Sequence, residues 1–300
     1  MRNMEPDNLK TNFKNKKNGL VSVLIILMVV IVCCIAIWYF SIKMTDNSDK
    51  NDKPMTTTTS TTTTAKPKKE YSMYDNIELE NITIEEVKEL YSLIEKPIDN
   101  YNDGDLNTNL YLYPTNLANM SNTVKMWFAY TNMQKQLLEL NEYDLPNLTE
   151  IQKQDYAKIE IDYDSFISEL DRVFGPSVPF VIKTVMPINT NELTKLSYNA
   201  KTRKYEAYVS RVQTVNNKTV VKNLYKAIKT NNNQVELYLK VAFNEDDKTY
   251  SDANYSTKLN KYINEDNILD NLDKLTTYKI TYTLDTDQKY HFNKIELITN

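Results

Sequence analysis

Histidine occurs once and glycine three times in 300 residues, and the two cysteines are adjacent. Each shortage removes a kind of chemistry. A Ser-His-Asp or Cys-His site needs an imidazole base, and only His291 could supply it. Zinc centres built from several His or Cys ligands cannot be assembled, so a bound metal would have to be held by oxygens alone, as calcium or magnesium is. No GxSxG-like nucleophile elbow is present either. Cys33 and Cys34 lie inside a long apolar run, which leaves the 260 residues after it without a cysteine. A eukaryotic secreted domain of that size often carries disulfides. Their absence, with heavy use of Asn, Lys, Ile and Tyr, suggests a bacterium with an AT-rich genome. Clustered positive charge is also missing from residue 71 onward. Residues 71–300 hold 25 basic and 34 acidic side chains, a net charge of −9, which disfavours a nucleic-acid partner.

What the chain does have is one uncharged stretch of 21 residues, Leu20–Phe40, "LVSVLIILMVVIVCCIAIWYF". A helix of about 20 apolar residues spans a bilayer core. Arg2, Lys10, Lys14, Lys16 and Lys17 precede it against only Glu5 and Asp7, so the N-terminus is expected inside and the remainder outside. A cleaved signal peptide would have a shorter apolar core and a small-x-small site after it, whereas this run ends in Trp38, Tyr39 and Phe40. A signal anchor crossing once fits better. Residues 41–70 are polar and include the run "TTTTSTTTT", which reads as a solvated tether. The expected plan is a short basic cytoplasmic arm (1–19), a transmembrane helix (20–40), a Thr-rich tether (41–70) and an acidic extracytoplasmic domain (71–300).

Within that domain hydrophobic periodicity changes from helical to alternating, which predicts an α+β fold: about three helices, then an antiparallel meander sheet. Thr83 with Glu86 makes a capping box, and Ile84, Val87, Leu90, Tyr91 and Ile94 follow at helical spacing until Pro97. A second helix is expected over 121–141, with Val124, Trp127, Phe128, Leu137 and Leu138 buried. A third is expected over 163–176, capped by Asp164, with Phe166, Ile167, Leu170 and Phe174 as its stripe and Gly175-Pro176 as its stop. Three hairpins should turn near 201–203, 231–233 and 286–288. Cystatin-like and NTF2-like cone folds share this outline, but no motif singles one out, and a shared outline would not fix function.

Candidate chemistry is sparse. "DNYNDGDLNTNL", residues 99–110, places Asp99, Asp103 and Gly104 at EF-hand positions 1, 5 and 6. Tyr101 and Leu110 then occupy positions 3 and 12, where oxygen ligands are required, so the segment reads as a turn. His291 falls in the last expected strand and reads as a sheet residue. A carboxylate-pair hydrolase would need two acids flanking its substrate. The local clusters are Asp162 with Asp164, Glu245-Asp246-Asp247, and Glu265 with Asp266. The 22 tyrosines suit half-buried sheet positions, and "VFGPSVPF" an apolar loop packed under a sheet edge. No catalytic, cofactor-binding or metal-ligating set is assigned. The expectation is a non-catalytic binding or scaffolding domain, with an envelope protein or cell-wall component as partner. The alternatives are a carboxylate-based hydrolase of envelope polymer and a small-ligand-binding cone.

Overall fold

The computed structural model describes residues 71–100, 108–188, 194–212 and 217–299. The expected arm, span Leu20–Phe40 and tether lie outside the described residues, as do Asp103 and Gly104 of the Asp-rich turn. Among the described residues no helix is long and apolar enough to cross a membrane.

The fold is α+β with two sheets of mostly antiparallel strands rather than a single meander. The first sheet has the order β1-β7-β8-β10-β11, built from β1 (Glu78–Glu80), β7 (Lys218–Thr230), β8 (Gln234–Glu245), β10 (Thr276–Leu284) and β11 (Tyr290–Ile298). A short β9 (Lys248–Tyr250) pairs with the far end of β8, and β1 runs parallel to β7. The second sheet has the order β2-β3-β6-β5-β4, from β2 (Leu137–Leu138), β3 (Tyr156–Asp162), β6 (Lys204–Ser210), β5 (Lys195–Asn199) and β4 (Met186–Pro187). Between them in sequence lie α1 (Ile84–Ser92), α2 (Glu95–Asp99), α3 (Asn122–Asn132), α4 (Glu150–Lys153) and α5 (Tyr163–Phe174).

All three expected hairpins form. Their turns place Arg203, Asn233 and Gln288 at positive φ, so the chain makes tight reversals without glycine. The segment around Val220 to Ile228, whose spacing also fits a helix, is strand β7. A bulge at Tyr225 in β7 and another at Asn293 in β11 shift register within long strands.

The helices depart from expectation at their ends, each for a local reason. The first breaks in two. Pro97 has no N–H to give the Leu93 carbonyl, and the side chain of Asn132 donates there instead, at 2.9 Å. The chain restarts as α2, where Pro97 sits in the first turn. The second helix ends at Asn132, not near 141. Lys135 Nζ donates to the Tyr130 carbonyl at 2.7 Å, and Leu137 and Leu138 pair with β3 as an edge strand. Leu137 is 53% exposed, so its expected burial was wrong. The cap of α5 is Asp162 rather than Asp164: its carboxylate accepts from the N–H groups of Asp164 and Ser165, while Asp164 pairs with Arg203 at 3.2 Å.

The main core is aromatic. Phe128 of α3 and Phe174 of α5 meet Phe292 of β11 with centroids 5.4–6.2 Å apart, and Tyr282 of β10 lies beyond. Phe166 packs on Tyr205 of the second sheet at 4.2 Å, so α5 joins the two sheets. Val87 and Tyr91 bring α1 into the same core, and Ile94 follows just after it. Aromatic and aliphatic side chains therefore pack much of the interface between the helices and the sheets.

Candidate functional site

At one end of the first sheet, the C-terminus of α5 meets the β10–β11 turn, and two side-chain clasps hold them together. His291 is 4% exposed, and its ring spans the junction. Its Nδ1 lies 3.1 Å from the Arg172 carbonyl in the last turn of α5, and its Nε2 lies 3.0 Å from Asp287 Oδ1 in the β10–β11 turn. A neutral imidazole donates from only one nitrogen, so both bonds are donated together only by the protonated ring. The second clasp is Ser177 Oγ donating to Asp285 Oδ1 at 3.0 Å. Gly175 makes the approach possible. It ends α5 at φ +90, and a Cβ there would collide with the Asp285 carboxylate.

Beside these clasps an open cleft of about 730 Å³ runs between α1, α5 and the hairpin end. Ile82, Leu90, Leu93, Val235 and Pro176 supply its apolar surface. Charges of both signs stand around it, and most are already engaged. Glu86 accepts from Thr83 in the capping box and pairs with Lys229 at 3.4 Å, and the Thr83 backbone N–H holds its carboxyl below the ordinary value. Arg172 is held in a fork by Glu169 at 2.7 and 2.8 Å. The hydrogen bond from His291 holds Asp287 below the ordinary carboxylate value, and the Thr286 N–H does the same for Asp285.

Three cleft groups are not engaged. Among the described residues, the carboxylates of Glu89 and Asp171 and the ammonium of Lys289 make no hydrogen bond or ion pair. Asp171 is half-buried, and burial pushes its carboxyl up, against the pull of His291.

The residues singled out from sequence are otherwise placed in structural roles. Asp99 lies against the ammonium of Lys222 and accepts from Tyr111 Oη at 3.3 Å. Asp162 caps a helix and Asp164 is an exposed ion pair. Asp246 sits at positive φ in the β8–β9 turn and is bonded by Asn217 at 2.8 Å. Glu265 and Asp266 lie in the loop before the 3-10 turn over Ile268–Lys274 and are exposed. Tyr111 packs edge-on against Phe243 and Tyr278 in the core, whereas Tyr113 is exposed. "VFGPSVPF" folds over the hairpin turn through Ser177, with the Pro179 carbonyl accepting from Lys125 Nζ at 3.2 Å.

No protein-family model, curated protein or solved structure matches this chain. The cleft must speak for itself. His291 was the one member visible in the sequence, since it is the only histidine. Glu89, Asp171 and Lys289 were missed. They lie on three elements and carry no motif.

Proposed function

We propose that this is a single-span, N-in membrane protein of the bacterial envelope whose acidic domain is a non-catalytic binding module, with the cleft between α1, α5 and the β10–β11 hairpin as its contact site. The anchor at Leu20–Phe40 and the Thr-rich tether would hold that site outside the membrane, facing an envelope protein or wall component. One observation carries the reading: an open cleft combines apolar lining with unengaged charges of both signs. The chemistry beside it supports binding over acyl transfer. Among the described residues no serine hydroxyl hydrogen-bonds His291, whose nitrogens face Arg172 O and Asp287, while Ser177 is turned to Asp285.

The test is co-purification of tagged full-length protein from crosslinked native membranes. The control keeps the anchor and tether without residues 71–300, and a second variant fills the cleft by Ser168→Trp. A binding module retains its partner with the intact chain only and loses it when the cleft is filled. Equal recovery by all three would refute the reading.

A carboxylate-pair hydrolase is the second reading. Asp171 on α5 and Asp287 in the hairpin line the cleft from different elements, with pKa shifts of opposite direction, as an acid and its partner require. It ranks lower because Asp287 is committed to His291. Release of soluble fragments from purified wall by the wild type, but not by Asp171→Asn, would reverse the order.

A further inference from the structure

Resting on the reading of the cleft as a binding site, we infer that it takes a short zwitterionic peptide, whose ammonium group sits on Asp171 and whose carboxylate sits on Lys289. The assignment follows from which charges the fold has already used. Glu86 belongs to the α1 capping box and to Lys229, Arg172 to Glu169, and Asp287 to His291. Those groups gain little from a ligand that must first compete with an existing partner. Asp171 differs: it is half-buried, lines the cleft and makes neither a hydrogen bond nor an ion pair among the described residues. A partly desolvated carboxylate without a partner is an incomplete arrangement, and a cation completes it. Glu89, exposed on α1 and also unengaged, adds negative charge at the same cleft.

The opposite end is set by Lys289, whose ammonium is exposed and unpaired at the cleft. Lys289 and Asp171 line the same cleft as the His291–Asp287 pair. Asp171 feels the charge of His291, and the Lys289 N–H donates to Asp287 Oδ1 at 3.0 Å. An anion alone would face Glu89 and Asp171, and a polycation would face Lys229 and Lys289. A molecule with one charge of each sign suits both ends. Between them the lining from Ile82, Leu90, Leu93 and Val235 takes small apolar side chains.

The experiment uses full-length protein in nanodiscs and calorimetric titration with trialanine, N-acetyl-trialanine and trialanine amide. Trialanine is expected to bind. Acetylation should weaken binding at least tenfold, amidation should weaken it several-fold, and Asp171→Asn should lose most of the discrimination against the acetylated form. Lys289→Gln should remove the preference for the free carboxylate and leave the amine preference intact. Equal binding of all three peptides to the wild type would overturn the zwitterion assignment while leaving the cleft reading standing. No heat with any peptide would also overturn it, and the Ser168→Trp co-purification then judges the cleft separately. Tight binding of trialanine that is indifferent to Asp171→Asn would place the ammonium elsewhere and refute the assignment.

Discussion

Replacing Lys222 by methionine tests a tightly enclosed ion pair of the first sheet. Lys222 stands on β7 with its side chain 11% exposed, and its ammonium lies against the Asp99 carboxylate at the end of α2. Glu95 Oε1 is 3.4 Å away, and the ammonium sits 5.0 Å from the centre of the Tyr91 ring. Methionine keeps the length and loses the charge, so the damage comes from Asp99 left without its cation. The chain can escape by protonating Asp99, which at pH 7 costs about 1.4 kcal/mol for each of roughly three pH units, a ceiling near 4 kcal/mol. Asp99 is 28% exposed, and the solvent it keeps lowers the expected loss to about 3 kcal/mol. For a domain of this size that corresponds to roughly 6–12 °C in Tm. Urea denaturation followed by tryptophan fluorescence suits the measurement, because Trp127 Nε1 donates to the Pro97 carbonyl of α2 at 3.1 Å. Asp99→Asn combined with Lys222→Met should recover most of the loss, since a neutral pair leaves no stranded charge. Acidity supplies a second check. Burial raises the Asp99 carboxyl even against Lys222. A carboxyl raised in the folded state is protonated there before it is in the unfolded chain, so its contribution to stability falls as pH rises through that window. Without Lys222 the window extends upward, and Lys222→Met should regain ground on the wild type between pH 7 and pH 5. A double variant as unstable as the single one, or a deficit independent of pH, would refute this account.

Gly175→Ala should cost about 2–3 kcal/mol in chemical denaturation, because φ +90 is strained for alanine and the new Cβ meets the Asp285 carboxylate and stands 3.2 Å from His291 Cδ2. A loss below about 0.5 kcal/mol would mean that the α5–hairpin junction yields freely. Thr83→Ala removes the hydroxyl that accepts from the Glu86 N–H, and should cost about 1 kcal/mol with α1 still formed by circular dichroism. Asp287 is held low by His291, so its stabilising share is present above the ordinary carboxylate value of about 4 and is lost as pH falls through the lowered one. Asp287→Asn should therefore be less stable than the wild type at pH 6 and converge with it as pH falls below the ordinary carboxylate value; parallel curves would remove the His291–Asp287 clasp from the account.

The hairpins were legible because two signals coincide in them. Alternation marks Tyr278, Ile280 and Tyr282, and the turn at Asn231–Asn233 falls between two alternating runs. The sorting of strands into two sheets was not legible, since it rests on partners remote in sequence. Ala157 pairs with Val209, and Leu79 with Ala227. Helix ends failed where a tertiary group decided them. Nothing local to residues 93–97 announces that Asn132 will take over the Leu93 carbonyl. Asp162 and Asp164 are equally good caps by residue type, and the length of β3 chooses between them. Of the cleft, His291 was visible through its rarity alone. Glu89, Asp171 and Lys289 come from three elements spread over 200 residues, and each is one acid or base among many.

The two clasps beside the cleft bear on how it would bind. A site on loops loses affinity to the ordering of its own walls, and a site on fixed elements does not. Asp171 lies in the last turn of α5, one residue from the carbonyl that His291 holds, and its own carbonyl accepts from the Gly175 N–H at 2.9 Å. Lys289 follows Asp287, the other end of the same histidine bridge, and its carbonyl accepts from the Asp285 N–H at 2.9 Å within the turn. The two residues assigned to the ligand's ends thus lie close in sequence to the two groups that one buried ring bridges. Their separation is governed by His291 rather than by loop motion. Loosening the clasp by His291→Phe, which keeps the bulk and removes both hydrogen bonds, should consequently weaken trialanine binding although Asp171 and Lys289 themselves are unchanged. That loss should exceed the change the same substitution causes for a peptide lacking one charge, because only a ligand held at both ends senses the distance between them.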